Sequence, residues 1–345
     1  MALISARTFL IAGLAIALTA VLLTVGTLVA VRQYLETPLT LPGEPVVVDI
    51  EPGRSLQQLA NQLATKEYLN WPGVMVLWAR WHGFDRRVRS GEYALTPGLT
   101  PRALMDLLMS GRVVQYPVTL VEGWTVRQAL ESVWQHDNIL ATLQDQSDEA
   151  IHAALGTAWP ALEGSLFPDT YFYTKGTSDL AILRRASQRL EQVLAEEWQQ
   201  RAVGLPYESP WQALIMASII ERESGFQAEK QDIAGVFVRR LQTGMRLQSD
   251  PTVIYGMGSR YDGVIYRSDL NTTTAYNTYR INGLPPTPIA LAGRDSIHAS
   301  LQPKAGTALY FVSRGDGSHQ FSDTLEEHNA AVRRYLRNGA DNGDN

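Results

Sequence analysis

The chain has 345 residues, of which 45% are apolar and 19% charged, with a net charge of −5. Its 27 glycines and 17 prolines are an ordinary share, which excludes a collagen-like or wholly disordered chain. The acidic balance argues against nucleic acid as a partner, because binding phosphates takes a basic surface. The absence of cysteine removes disulfides, thiolate nucleophiles and cysteine-ligated zinc. At roughly 150 residues per domain, the length predicts two domains.

The 24 residues from Thr8 to Val31 carry no charge and lie between Arg7 and Arg32. As a helix they extend ~36 Å, enough to cross a ~30 Å hydrocarbon core. The apolar stretch of a cleaved signal peptide is usually only ~7–15 residues, so residues 8–31 predict a retained transmembrane helix. The charges flanking it give little orientation bias. Residues 32–45 contain Pro38, Pro42 and Pro45 and read as an extended linker.

A small unit follows over residues 46–117. Val46 to Ile50 is a β-branched run and predicts a strand. Ser55 with Gln58 forms a capping box for a helix, and Asn70 and Pro72 start a second one that Gly83 stops. Tyr93 to Leu95 predicts another strand, giving β-α-α-β. Thr100-Pro101 opens a helix closed at Gly111, and Val113 to Val121 reads as a strand with Pro117 at an edge or bulge. Residues 118–337 form the larger mixed α/β domain. In it Thr125 and Gln128 cap a helix, Leu180 to Trp198 is an amphipathic helix, and residues 246–308 are mostly loop and turn. The Gly/Asn/Asp-rich end, 338–345, predicts a disordered tail. The fold class is α+β.

Nucleophile motifs are absent: there is no G-x-S-x-G elbow and no S-x-x-K. His82, His136, His152, His298, His319 and His328 lack metal-binding spacing. The carboxylates say more. Ser209, Pro210 and Gln212 mark a helix start, and the nearly all-apolar run Ala213 to Ile220 marks a buried helix. It runs into Glu221-Arg222-Glu223. Glu223 shares a face with Met216, Ile219 and Ile220, and Glu221 lies near the stripe of Leu214 and Ala217. Desolvation and the negative end of the helix dipole both raise the pKa of Glu223, which suits a general acid. The plain alternative is a solvated helix end. Loops carrying Glu163, Asp169, Tyr171, Gln248, Asp250, Tyr276, Asn277 and Tyr279 combine aromatic faces with amide and carboxylate edges. Such a set suits a saccharide, and equally ordinary turn packing.

Taken together and in order, Leu162 to Tyr171, Ala217 to Glu223, Arg246 to Val253, Tyr276 to Tyr279, Gly283 to Ile289, and His319-Gln320-Phe321 with Thr324 and Glu327 to Asn329 resemble the motifs of the YceG-like family of endolytic murein transglycosylases. Where the family often has Asn-Pro-Gly, this chain has Leu291-Ala292-Gly293. The resemblance implies a LysM-like character for the β-α-α-β unit and a single-pass inner-membrane protein with its catalytic body in the periplasm. It implies a lytic transglycosylase that cleaves the MurNAc–GlcNAc β-1,4 bond of nascent peptidoglycan strands, leaving 1,6-anhydro-MurNAc ends, with Glu223 catalytic. Substrate-binding candidates are Glu163, Asp169, Tyr171, Gln248, Asp250, Tyr276, Asn277 and Tyr279. Peptidoglycan synthases (penicillin-binding proteins) are implied partners, and no metal or cofactor is implied. Two alternatives stay open: a muramidase-type hydrolase using Asp250 or Glu163 as a second carboxylate, and a non-catalytic, membrane-anchored peptidoglycan-binding protein.

Overall fold

The computed structural model describes residues 6–337. The predicted tail, 338–345, lies outside them. The chain forms two compact units, one ending at Tyr116 and the other beginning at Pro117.

The first unit begins with helix α1 (Ala6–Glu36). Its segment Phe9–Glu36 is long and apolar enough to cross a membrane. The helix does not stop at the predicted boundary. No breaker occurs before Thr37-Pro38, and its last turns pack on the unit: Leu35 is buried and the Tyr34 hydroxyl donates to the Asn70 carbonyl at 2.8 Å. The following stretch is not a free spacer either. Leu39 is buried, its N–H donates to the Leu99 carbonyl at 2.8 Å, and the Thr40 N–H donates to the Tyr68 carbonyl at 3.0 Å.

Next come β1 (Val46–Ile50), α2 (Leu56–Thr65), α3 (Pro72–Trp81), β2 (Gly91–Leu95) and α4 (Pro101–Ser110). Strands β1 and β2 pair antiparallel, with Val46 opposite Leu95 and Ile50 opposite Gly91. The β-α-α-β order follows from local signals. The Ser55–Gln58 capping box starts α2, Pro72 occupies the first turn of α3, and Gly111 ends α4 with a left-handed φ of 69°. Leu59, Leu63, Met75, Tyr93, Leu104 and Leu108 form the centre of its core.

The second unit is built on helices. In order it contains β3 (Tyr116–Thr119), which starts at the boundary, α5 (Val126–Trp134), β4 (Ile139–Leu140), α6 (Asp148–Leu155), β5 (Thr170–Tyr173), β6 (Thr177–Ser178), α7 (Asp179–Gln199), α8 (Pro210–Glu223), α9 (Lys230–Gln242), α10 (Asp250–Met257), α11 (Arg267–Asn271), α12 (Arg294–Leu301), β7 (Tyr310–Ser313), β8 (His319–Ser322) and α13 (Leu325–Val332). The strands form two-stranded pairs: β3 with β5, β4 with β6 and β7 with β8. β3 is shorter than the predicted 113–121 strand. The stretch 246–308 holds three short helices, α10 to α12, where loop alone was expected. Helices of five to eight residues show too little periodicity to stand out from the surrounding Pro- and Gly-rich sequence.

Helix α8 is the axis of this unit. Every side chain from Ala213 to Ile220 is buried, so the helix is enclosed on all faces by α7, α9 and α12 rather than lying on a surface. Its first turn, Pro210 to Gln212, is half-buried, and its C-terminal end opens onto the candidate site.

Candidate active site

Glu223 is the last residue of α8. Ser224 takes an extended conformation (φ −144°, ψ 126°), and its N–H still reaches the Ile220 carbonyl at 3.4 Å. The carboxylate of Glu223 therefore points out of a rigid, apolar helix into an open cleft of about 400 Å³, shared with Arg240, Gln248, Asp250, Tyr279 and His319. Burial pushes its pKa up to about 7, and the negative charge of Asp250 pushes the same way. A hydrogen bond from the Ser249 hydroxyl and the positive charge of Arg240 oppose the rise without cancelling it. The outcome is a carboxylic acid that holds its proton to higher pH than an ordinary glutamate.

The loop before α10 supplies Ser249. Leu247 is fully buried and anchors it, and Gln248 takes a left-handed φ of 52°, a strained value for a residue with a side chain. The Ser249 N–H donates to Thr278 Oγ1 at 2.9 Å, the Thr252 hydroxyl donates to the Ser249 carbonyl at 2.6 Å, and the Thr252 and Thr278 hydroxyls lie 2.8 Å apart. This buried hydroxyl lattice fixes the Ser249 side chain against Glu223.

Asp250 opens α10 and is exposed to the cleft, accepting from the Tyr279 hydroxyl at 2.6 Å. That bond and burial together raise the pKa of Tyr279. Arg240 is buried under the opposite wall. Its Nε donates to the Leu309 carbonyl at 2.7 Å and its Nη1 to the Leu247 carbonyl at 2.5 Å, with the guanidinium 5.4 Å from the centre of the Tyr310 ring. His319 opens β8. Its Nδ1 lies 2.8 Å from Glu229 Oε2, and its own N–H also donates to that carboxylate. The imidazole is thus oriented by one ring nitrogen. His328 stacks on Tyr310 at 5.3 Å, and burial, reinforced by Arg240, lowers its pKa.

The neighbouring Glu221 has a different task. It forms a buried ion pair with Lys230 at 2.9 Å, both side chains being only 6% exposed. Its second oxygen accepts from the Gly293 N–H at 3.0 Å and the Ser296 hydroxyl at 2.6 Å, so it ties α8 to the start of α9 and of α12. In the Leu291-Ala292-Gly293 stretch the Glu122 carboxylate packs against Gly293, where a Cβ would push it aside.

The structure brings together Glu223, Gln248, Asp250 and Tyr279 of the residues singled out from sequence. Glu163 and Tyr276 line a second cavity of about 790 Å³ that Glu223 does not line. There Glu163 accepts from the Val126 N–H at 3.0 Å, the Gly164 N–H at 3.2 Å and the Tyr255 hydroxyl at 3.3 Å, and burial raises its pKa to about 7. Asp169 is exposed and accepts from the Thr170 N–H at 2.7 Å. Tyr171 and Asn277, expected among the substrate ligands, are buried and bonded to the chain's own carbonyls. Tyr171 is buried and its hydroxyl donates to the Phe167 carbonyl at 2.8 Å. Asn277 is 1% exposed, and its amide spans the carbonyls of Asp269, Leu270 and Thr272 while accepting from the Tyr279 N–H at 3.0 Å. It thereby orders the loop that presents Tyr279.

Sequence reasoning missed Ser249, Arg240 and the Glu229–His319 pair as parts of one site. The strongest available signal was that Ser249 sits between two residues already selected, followed by the Pro251-Thr252 helix start. Among the described residues, no cluster of three or more His, Asp or Glu side chains is placed to hold a metal ion.

A buried carboxylic acid at the end of an enclosed helix, opening into a tyrosine-lined cleft beside Asp250, is suited to acid–base chemistry. The YceG-like family matches residues 48–334, and the chain belongs to that family. It is 30% identical over 316 residues to the endolytic murein transglycosylase of Bacillus subtilis (strain 168), a match spanning 84% of this chain and 85% of that protein. It is 24% identical to the endolytic murein transglycosylase of Streptococcus pneumoniae (serotype 2, strain D39), again over 84% of this chain, but spans only 58% of that longer relative. The crystal structure of a YceG-like protein from Listeria monocytogenes superimposes with a TM-score of 0.51 at 29% identity, covering 84% of this chain and all of the other.

Proposed function

We propose that this protein is a membrane-anchored lytic transglycosylase that cleaves nascent peptidoglycan strands internally at the MurNAc–GlcNAc β-1,4 bond and thereby ends their elongation. The observation that carries the reading is the state of Glu223: one carboxylic acid, raised to about 7 by burial, at the floor of an open polar cleft. Membership of a family whose relatives are named endolytic murein transglycosylases supports the substrate class.

Ordinary glycosidases divide the work between two carboxylates. A lytic transglycosylase needs one that acts twice. Protonated Glu223 donates its proton to the glycosidic oxygen as the muramyl C1–O bond breaks. The resulting carboxylate then takes the proton from the muramyl C6 hydroxyl, whose oxygen bonds to C1 and closes the 1,6-anhydro ring. No water is consumed, and the nucleophile is tethered to its electrophile, which lowers the entropic part of the barrier. Gln248, Asp250 and Tyr279 bind the sugars flanking the bond. Asp250 also places negative charge beside the oxocarbenium-like centre.

Helix α1 is the membrane anchor, and both units stand on the outer face of the cytoplasmic membrane, in the periplasm, where the glycan substrate and its synthases lie. The length of Phe9–Glu36 and the exposure of its large apolar residues from Phe9 to Val29 support this. The β-α-α-β unit is LysM-like and holds the strand. A muramidase-type hydrolase is the second reading, favoured by Asp250 in the same cleft. The product decides between them. Incubation with uncrosslinked strands, read by mass spectrometry, gives muramyl ends one water lighter than reducing ends if the transglycosylase reading holds. Reducing ends alone would establish a hydrolase.

A further inference from the structure

The first unit has an open apolar cavity where α1 meets the folded body. It has a volume of about 490 Å³ and is walled mainly by apolar residues, among them Ala30, Val31, Leu39, Leu69, Trp71 and Val74. Its depth in the membrane follows from helix geometry. About twenty residues of helix span a ~30 Å hydrocarbon core, so a span beginning at Phe9 leaves that core near Leu28. Glu36 then stands ~12 Å beyond it, in the headgroup layer. The cavity, opening beside residues 27–40, thus lies at the boundary between acyl chains and headgroups.

Trp71 marks the same place independently. It holds a left-handed backbone conformation (φ 53°, ψ 54°), a genuine outlier for a bulky aromatic residue. The Tyr34 hydroxyl of α1 braces that turn, reaching the Asn70 carbonyl at 2.8 Å and the Trp71 carbonyl at 3.2 Å. The strain is not spent on packing, because Trp71 is 74% exposed. An indole held outward at the level where a transmembrane helix leaves the bilayer is the arrangement that the membrane interface favours. Arg102, next to Pro101 on the cavity wall, pairs with Glu36 at 3.3 Å and keeps half its side chain exposed at the headgroup level.

We propose that this cavity is a phospholipid site: it takes the glycerol and upper acyl segment of a lipid from the leaflet that α1 leaves, with Trp71 lying on the lipid and Arg102 facing its phosphate. The site rests on the reading of α1 as a membrane span and is continuous with the lipid-facing surface of that helix. Its consequence is mechanical. The first unit is held at a fixed height on the bilayer instead of swinging on a tether.

The chain has no cysteine, so single-cysteine variants of the full-length protein carry one bimane label each. Labels are placed at Trp71→Cys and, leaving Trp71 intact, at Thr37→Cys. Leu18→Cys, within the span, serves as the reference. Each protein is placed singly in nanodiscs of phosphatidylethanolamine and phosphatidylglycerol, with and without lipid carrying a nitroxide near the glycerol or deep in the acyl chain. The proposal predicts that the shallow nitroxide quenches the labels at 71 and 37 by roughly half or more, as expected for contact at the interface. The deep nitroxide quenches the label at 18. Quenching at 18 with none at 71 or 37 would overturn the lipid site and leave the anchor standing. No quenching at 18 would overturn the anchor, and the lipid site with it.

Discussion

The Ser249 hydroxyl donates a hydrogen bond to the Glu223 carboxylate, joining the start of α10 to the end of α8 across 26 positions of sequence. The donor favours the charged form of the acid, while burial favours the neutral one. The working pKa of Glu223 is the balance between them, adjusted by the opposing charges of Asp250 and Arg240.

Removing that donor shifts the balance in a known direction. Ser249→Ala leaves only the Arg240 charge against burial, so the pKa of Glu223 rises further and the alkaline limb of the pH–kcat/KM profile moves up by about half to one pH unit. The backbone bonds of residue 249 to Thr278 and Thr252 do not use its hydroxyl, so the loop persists. The measurement is the profile itself on glycan strands. A limb that stays in place, or moves to lower pH, would contradict the role given to Ser249.

Glu221 and Glu223 are two residues apart and do different work. Lys230→Met leaves the buried Glu221 carboxylate without its cation and costs about 3–5 kcal/mol of stability. Adding Glu221→Gln to that variant recovers most of the loss, because the unpaired charge is gone while Gly293 and Ser296 keep an acceptor. Urea unfolding of the single and double variants gives both numbers. Equal losses in the two would show that the charge is not what the pair balances.

Glu163 provides a test in stability rather than turnover. Its pKa is raised to about 7 in the folded chain, so the folded state holds a proton that the unfolded chain releases at a lower pH. Stability is therefore full below the unfolded value of about 4.3 and falls as pH rises toward 7. Glu163→Gln removes this slope, and at pH 8 the variant is more stable than the parent chain by on the order of 2 kcal/mol. Comparing the two unfolding midpoints at pH 5 and pH 8 checks the sign. A parent chain that gains on the variant with rising pH would contradict it.

What the sequence disclosed and what it hid divide along the range of the interactions. The Ser55–Gln58 and Thr125–Gln128 capping boxes, Pro210 at the first turn of α8, and the apolar run ending at Glu223 are all written within a few neighbouring residues, and the structure has them in place. Glu223 was legible because its helix announces both its burial and its end. The role of Glu221 was not, since its partners are Lys230 and the start of α12. Arg240 reads from sequence as one more cation on an amphipathic helix. Only the folded chain shows it bonded to the carbonyls of Leu247 and Leu309 beneath the cleft. The burial of Tyr171 and Asn277 was hidden for the opposite reason: aromatic and amide side chains in a loop look the same in sequence whether they face a cleft or the chain's own carbonyls.

The central claim is that Glu223 is the acid and then the base of a reaction that consumes no water. The most direct measurement incubates the full-length protein in bilayers, with and without Glu223→Gln, with uncrosslinked glycan strands, and analyses the products by mass spectrometry alongside circular dichroism of both proteins. The account predicts 1,6-anhydromuramyl ends from the parent chain and, from the equally folded variant, a loss of at least about a thousandfold, because the amide cannot supply the proton. Anhydro ends formed by the variant at the parental rate would show that another group is the acid.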